Sequence, residues 1–201
     1  DILLNPLDQR FPKNYNITNE INHNQDYTAD LIAKAFIPAN KYGDPFWDMS
    51  AREVLAQCLI FIKNKRIESE EQKNENTENN IKSNKKNKES NKDTSAINYQ
   101  NITLKDIFFS NNIKQANAIF KEIVDSSLSL QKILSDSAEK TSASILAVVA
   151  TYLKSMRYFP DVEIAENNEI NDDDKQKPFS ISDWIKDDSK TGFLIIPSIG
   201  N

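Results

Sequence analysis

The chain has 201 residues, 38% of them hydrophobic and 9% aromatic, which suffices for one core of roughly 100–150 residues with length left over for segments that do not pack. Its 25 Lys and Arg against 30 Asp and Glu leave a net charge of −5. That excludes a protein that coats nucleic acid by bulk charge, because phosphate contacts come from clustered Lys and Arg, so any such contact must be a local patch. A single cysteine, Cys58, excludes an internal disulfide and a multi-cysteine zinc site. The lone cysteine makes the cytoplasm the expected compartment, and with no run of about 18 apolar residues and no basic signal-like start this piece is expected to be soluble, though its parent need not be.

The first element expected is a short strand at Ile2-Leu3-Leu4, stopped by Pro6, and the last is its counterpart at Phe193-Leu194-Ile195-Ile196, stopped by Pro197. Each is too short to make a sheet. Two strands at opposite ends of a helical segment read as the flanks of an insertion in an α/β domain. The expected boundaries are a strand-bearing flank at 1–18, helices at 19–65, an insert at 66–98, helices at 99–186 and a returning strand at 187–201.

Between the flanks, Ile21, Leu31, Ile32, Ala35 and Phe36 fit a loose helix from about residue 19, ending before Pro38. Ser50-Ala51-Arg52-Glu53 has the form of a capping box and predicts a second helix start, continued by Val54, Leu55, Cys58, Leu59, Phe61 and Ile62 on one core face. Residues 66–98 are rich in Asn, Lys, Glu and Ser and almost free of large apolar groups, which predicts a disordered insert, acidic in its first half and basic in its second. Helices resume at a Thr103-Leu104-Lys105-Asp106 cap and run through the amphipathic positions Ile113, Ala116, Ile119, Phe120, Ile123 and Val124, with a short helix at 128–134. The longest helix is expected at 137–159, with Ile145, Val149, Tyr152 and Met156 as its buried stripe and the spine of the domain. An acidic loop at 161–177 follows, and Ser180-Ile181-Ser182-Asp183 caps a short helix bearing Trp184 and Ile185.

Taken together, four segments resemble the type IV secretion coupling proteins of the TraD/TraG type. They are Asn5-Pro6-Leu7-Asp8-Gln9-Arg10 after a strand, and Asp44-Pro45-Phe46-Trp47 ahead of Ser-Ala-Arg. The third is Glu139-Lys140-Thr141 leading through Ser144-Ile145 to Tyr152-Leu153 and Arg157-Tyr158, and the fourth is Pro178-Phe179-Ser180-Ile181 with Trp184 and Gly192-Phe193-Leu194-Ile195. The resemblance covers most of the chain apart from 66–98 and 161–177. It implies a mainly α fold: a helical bundle inserted in a RecA-like α/β motor, with short flanking strands. The parent would be a hexameric ATPase anchored in the bacterial inner membrane, and this cytoplasmic part would engage relaxosome proteins or DNA at the motor entrance. This chain would be a monomer by itself.

No G-x-x-x-x-G-K-[ST] loop is present, since Gly43, Gly192 and Gly200 are too scattered to make one, and no apolar strand ends in paired acidic residues for magnesium. The chain by itself is therefore expected not to hydrolyse ATP and to carry no cofactor, with ATP and magnesium belonging to the parent. Other chemistry is poorly provided for. His23 is the sole histidine, in a polar Asn-rich setting without an identifiable nucleophile. Cys58 falls on the apolar side of a helix, where a buried structural thiol is the plain reading. Asp172-Asp173-Asp174 lacks the glycine turn and distal Glu of a calcium loop.

The candidate sites are thus surfaces. Lys154 and Arg157, three residues apart, lie side by side on the long helix, with Lys140 about four turns away. They form either a phosphate-binding stripe or basic groups snorkelling at the bundle edge. Arg52 either joins that surface or pairs with Glu53 or Asp48. Asn5, Asp8 and Arg10 form a motor-proximal motif just past a strand, read either as a ligand-handling turn or as a structural one. Trp47 and Trp184 are expected to pack on the core rather than to bind partners. Two other readings stand beside DNA or relaxosome recognition: a docking adaptor that uses acidic surfaces to take the basic tails of secreted effectors without binding DNA, and a free-standing helical regulator.

Overall fold

In the computed structural model, residues 15–21, 24–82, 99, 102–134, 139–158 and 180–187 are described, and every regular element among them is helical. The two flanking strands, the motif Asn5, Asp8 and Arg10, His23 and the 161–177 loop all lie outside the described residues.

A 3-10 turn at Ile17–Glu20 comes first, capped by the buried Asn16, whose side chain accepts from the Thr18 amide. Helix α1, Gln25–Phe36, starts on Asn24, which accepts from the Tyr27 amide, and ends at the fully buried Ile37 just before Pro38. The single loose helix expected from residue 19 is thus two elements. Its buried positions are Ala29 and Ala33, while Leu31 is exposed. Small inward residues let α1 lie close against its neighbour.

That neighbour is α2, Pro45–Lys82, 38 residues long. It begins five residues before the expected capping box, because Asp44 and Pro45 make a better start. The Asp44 carboxylate accepts from the Phe46 amide at 2.9 Å, and proline at the first helical position has no amide to leave unsatisfied. Ser50 is buried inside the helix, and Glu53 instead accepts from Gln57 Nε2 and the Ser129 hydroxyl of a later helix. At the far end α2 runs to Lys82, well into the 66–98 segment expected to be disordered. Residues 66–82 contain neither Gly nor Pro, and Glu, Gln and Lys are good helix formers. A shortage of apolar groups there did not imply a shortage of helix. Residues 83–98 lie outside the described residues.

Thr103 opens α3, Leu104–Phe108, with both its amide and its hydroxyl donating to Asp106 at 2.8 Å. Helix α4, Ile113–Ser126, is capped by Asn112 and buries Ala116, Ile119 and Ile123. Helix α5, Leu128–Ile133, follows on Ser127. Helix α6, Glu139–Tyr152, tightens into a 3-10 segment over Leu153–Tyr158, so the expected long α-helix is shorter than foreseen. Helix α7, Ile181–Lys186, starts on Ser180, which accepts from the Asp183 amide at 3.2 Å.

The spine is α2, not α6. Ala51, Val54, Leu55, Ala56, Cys58, Leu59, Phe61 and Ile62 are all buried, so this stretch is enclosed nearly all round, as a central helix must be. It packs against α1, α4, α5, α6 and the 3-10 turn. Ile119 and Ile123 of α4, Leu130 of α5, and Ile145, Val149 and Leu153 of the α6 arm complete the core. Each fully buried Leu or Ile contributes about 1.5–3 kcal/mol. No helix among the described residues is long and apolar enough to cross a membrane.

Candidate nucleic-acid interface

Burying Ile145, Val149 and Leu153 turns the opposite side of the α6 arm to solvent. Lys140, Ser144, Ala147, Thr151 and Lys154, spaced by four, three, four and three, are all exposed, and this spacing aligns them along one side. Residues 140–158 hold three basic groups and no acidic one, in a protein whose net charge is negative. The Ser144 and Thr151 hydroxyls donate back to the carbonyls of Lys140 and Ala147, leaving a low, smooth surface between the cations. From Lys140 to Lys154 the helical rise gives a span of roughly 20 Å.

Lys154 and Arg157 sit on the 3-10 segment, where residues three apart eclipse one another. They are stacked neighbours, as the sequence suggested. Arg157 is further fixed by its guanidinium, which lies over the Phe109 ring with its carbon 4.5 Å from the centroid, while the residue remains exposed. Among the described residues, none of Lys140, Lys154 and Arg157 forms an ion pair. By contrast, Lys34 pairs with Asp30, Lys65 with Glu68 and Lys121 with Asp125.

Arg52 is held at the α1–α2 connection. Its Nε donates to the Ile37 carbonyl at 2.7 Å, while Asp48 accepts from the Asn40 amide at 2.6 Å. These two residues tie the α1–α2 connection onto α2, and neither of the expected partners, Glu53 or Asp48, is the one that Arg52 bonds. Trp47 is half-buried against the core with Phe46 edge-on at 5.2 Å. Cys58 is fully buried, and burial pushes its thiol pKa well above the ordinary range. No cluster of metal-ligating side chains occurs among the described residues.

Against this geometry the comparisons with known proteins are informative. The family model for the type IV secretion-system coupling protein DNA-binding domain matches residues 1–96 and 98–201.

The chain belongs to that family.

Among curated relatives of this coupling-protein domain, Coupling protein TraD of Escherichia coli (strain K12) is 27% identical, over 98% of this chain and 21% of that protein. The chain thus spans about a fifth of that relative's length. No solved structure matches significantly.

Reading the sequence of this coupling-protein domain missed the hub that organises its polar interior. Asn16 donates to the Ile102 carbonyl at 3.3 Å. Arg66 of α2, only 7% exposed, donates to Thr18 Oγ1 at 3.0 Å and to Asn19 Oδ1 at 2.9 Å. Glu20 reaches α7. The run Asn16-Ile17-Thr18-Asn19-Glu20 therefore touches three distant parts of the chain. Its one local signal was a cluster of small polar residues, which reads as a turn wherever it occurs.

Proposed function

We propose that this domain receives DNA for a type IV secretion coupling protein through the outward side of the α6 arm. The observation that carries the reading is the acid-free line from Lys140 to Lys154 and Arg157, the kind of local basic patch that a net-negative protein needs in order to approach phosphate. Family membership supports it. The interior apolar stripe that anchors the arm and the Phe109 contact that orients Arg157 supply a rigid backing for the cations.

The wider setting follows from the family resemblance and belongs to the same proposal. The domain is inserted in a RecA-like motor that supplies the ATP and magnesium sites, and the motor assembles as a hexamer anchored in the inner membrane. The helical bundle lies at its cytoplasmic entrance, engaging relaxosome proteins together with DNA in conjugative transfer. Asn5, Asp8 and Arg10 take the motor-proximal position. On this account the 201-residue chain by itself binds DNA but does not hydrolyse ATP.

Fluorescence anisotropy of labelled DNA across a salt series tests it. If all three cations contact phosphate, log Kd changes with log salt with a slope magnitude of roughly 2–3, which corresponds to a loss of about 16- to 64-fold between 50 and 200 mM. Neutralising Lys154 and Arg157 together lowers that slope by about 1–2. A slope near zero, or one unmoved by the substitutions, contradicts the proposal.

A further inference from the structure

Where the α6 arm ends, the surface changes character from charge alone to charge with flat rings. Arg157 holds its guanidinium over the Phe109 ring, with its carbon 4.5 Å from the centroid, while the residue as a whole stays exposed. The next residue, Tyr158, is 57% exposed, a large apolar ring facing solvent beside a held cation. Lys154 lies one 3-10 turn before Arg157. A planar guanidinium fixed on an aromatic ring offers its free side to another flat group, and a phenol ring offers the same. Unpaired bases have free flat sides, whereas a duplex presents only their edges and its phosphates.

We infer that Arg157, backed by Phe109, and Tyr158 form a base-stacking site that makes this end of the arm selective for unpaired DNA. The inference rests on the DNA reading above and adds which chemical part of the strand is recognised. In this division of labour the charges of Lys140, Lys154 and Arg157 meet phosphates and set the salt dependence. Tyr158 and the plane of Arg157 hold bases and contribute an affinity that salt leaves unchanged.

The test compares oligothymidine, an abasic strand of equal length and a duplex, each titrated by anisotropy against the 201-residue chain and its variants. The wild type is expected to bind oligothymidine roughly tenfold more tightly than the abasic strand at equal salt. Tyr158→Ala removes most of that advantage without changing the salt slope, and Tyr158→Trp retains it. Arg157→Lys keeps the charge but weakens binding to oligothymidine and not to the abasic strand. Tyr158 is exposed, so its substitution leaves the fold intact. Equal affinity for oligothymidine and the abasic strand, with a normal salt slope, overturns the stacking site while leaving phosphate binding in place. Absence of salt-dependent binding to all three overturns both readings.

Discussion

The carboxylate of Glu20 accepts hydrogen bonds from the backbone amides of Ile181 at 2.7 Å and Ser182 at 2.9 Å, across more than 160 residues of sequence. The Ser182 hydroxyl adds a third at 2.7 Å. A carboxylate from one end of the described chain therefore caps the helix at the other, satisfying amides that no residue within α7 can reach. Glu20→Ala is expected to cost about 2–3 kcal/mol, since charge-assisted bonds to orphan amides are lost together. Glu20→Gln, which keeps a carbonyl acceptor, costs about half as much. Urea melts of the two variants check the order, and an alanine variant as stable as wild type contradicts it.

Arg66 makes a second long-range tie, from the buried side of α2 to Thr18 and Asn19. Its Nη1 alone bonds both side chains, at the end of a side chain one atom longer than that of lysine. Arg66→Lys and Arg66→Met are both expected to destabilise the fold, by about 2–4 kcal/mol, because buried polar groups on the 3-10 turn lose their donor. Proteolysis should then cut near residues 15–21 before the rest of the bundle. Preferential cleavage elsewhere argues against the tie.

Much of the bundle was legible from local pattern, because a helix start or a buried stripe depends on residues within a few positions. The Thr103 and Ser180 caps, the α4 stripe at Ala116, Ile119 and Ile123, and the burial of Cys58 all follow from such patterns. Ser50 and Glu53 satisfied the same rule and misled, since Asp44 and Pro45 had already begun the helix and Glu53 found a partner 76 residues away. The helical part of 66–98 was missed because a scarcity of apolar groups was weighed more heavily than helix propensity. Within the candidate interface, the pairing of Lys154 with Arg157 was visible from spacing. The Phe109 ring beneath Arg157 and the diversion of Arg52 to the Ile37 carbonyl were not, because both depend on tertiary contacts.

Cys58 provides a probe of the core. Fully buried, with its thiol pKa raised by burial, it should react with a thiol reagent only as fast as the core opens. Labelling under native conditions is expected to be slower by at least about a thousandfold than in urea. Rapid native labelling contradicts the placement of α2 at the centre.

Tyr99 reports pH. Burial, together with a hydrogen bond to Glu122 and the charge of that carboxylate, holds its phenol pKa up to about 12 from 10. The folded state thus keeps the proton more tightly than the unfolded one. The stabilisation is fully present below pH 10 and is lost as pH rises from 10 towards 12. Absorbance titration of tyrosinate should show a late component that disappears in Tyr99→Phe and moves down in Glu122→Gln, separate from that of Tyr15, whose phenol pKa burial raises further. A late component unaffected by either substitution belongs to another tyrosine.

The most direct measurement of the central claim is lysine acetylation footprinting with and without single-stranded DNA, read residue by residue. The account predicts that Lys140 and Lys154, on the outward side of the α6 arm, are protected at low salt and regain reactivity as salt rises, while the exposed Lys41, Lys114 and Lys132 react equally in both conditions. Protection at Lys114 or Lys132 with none at Lys154 would place DNA on another face and contradict the account.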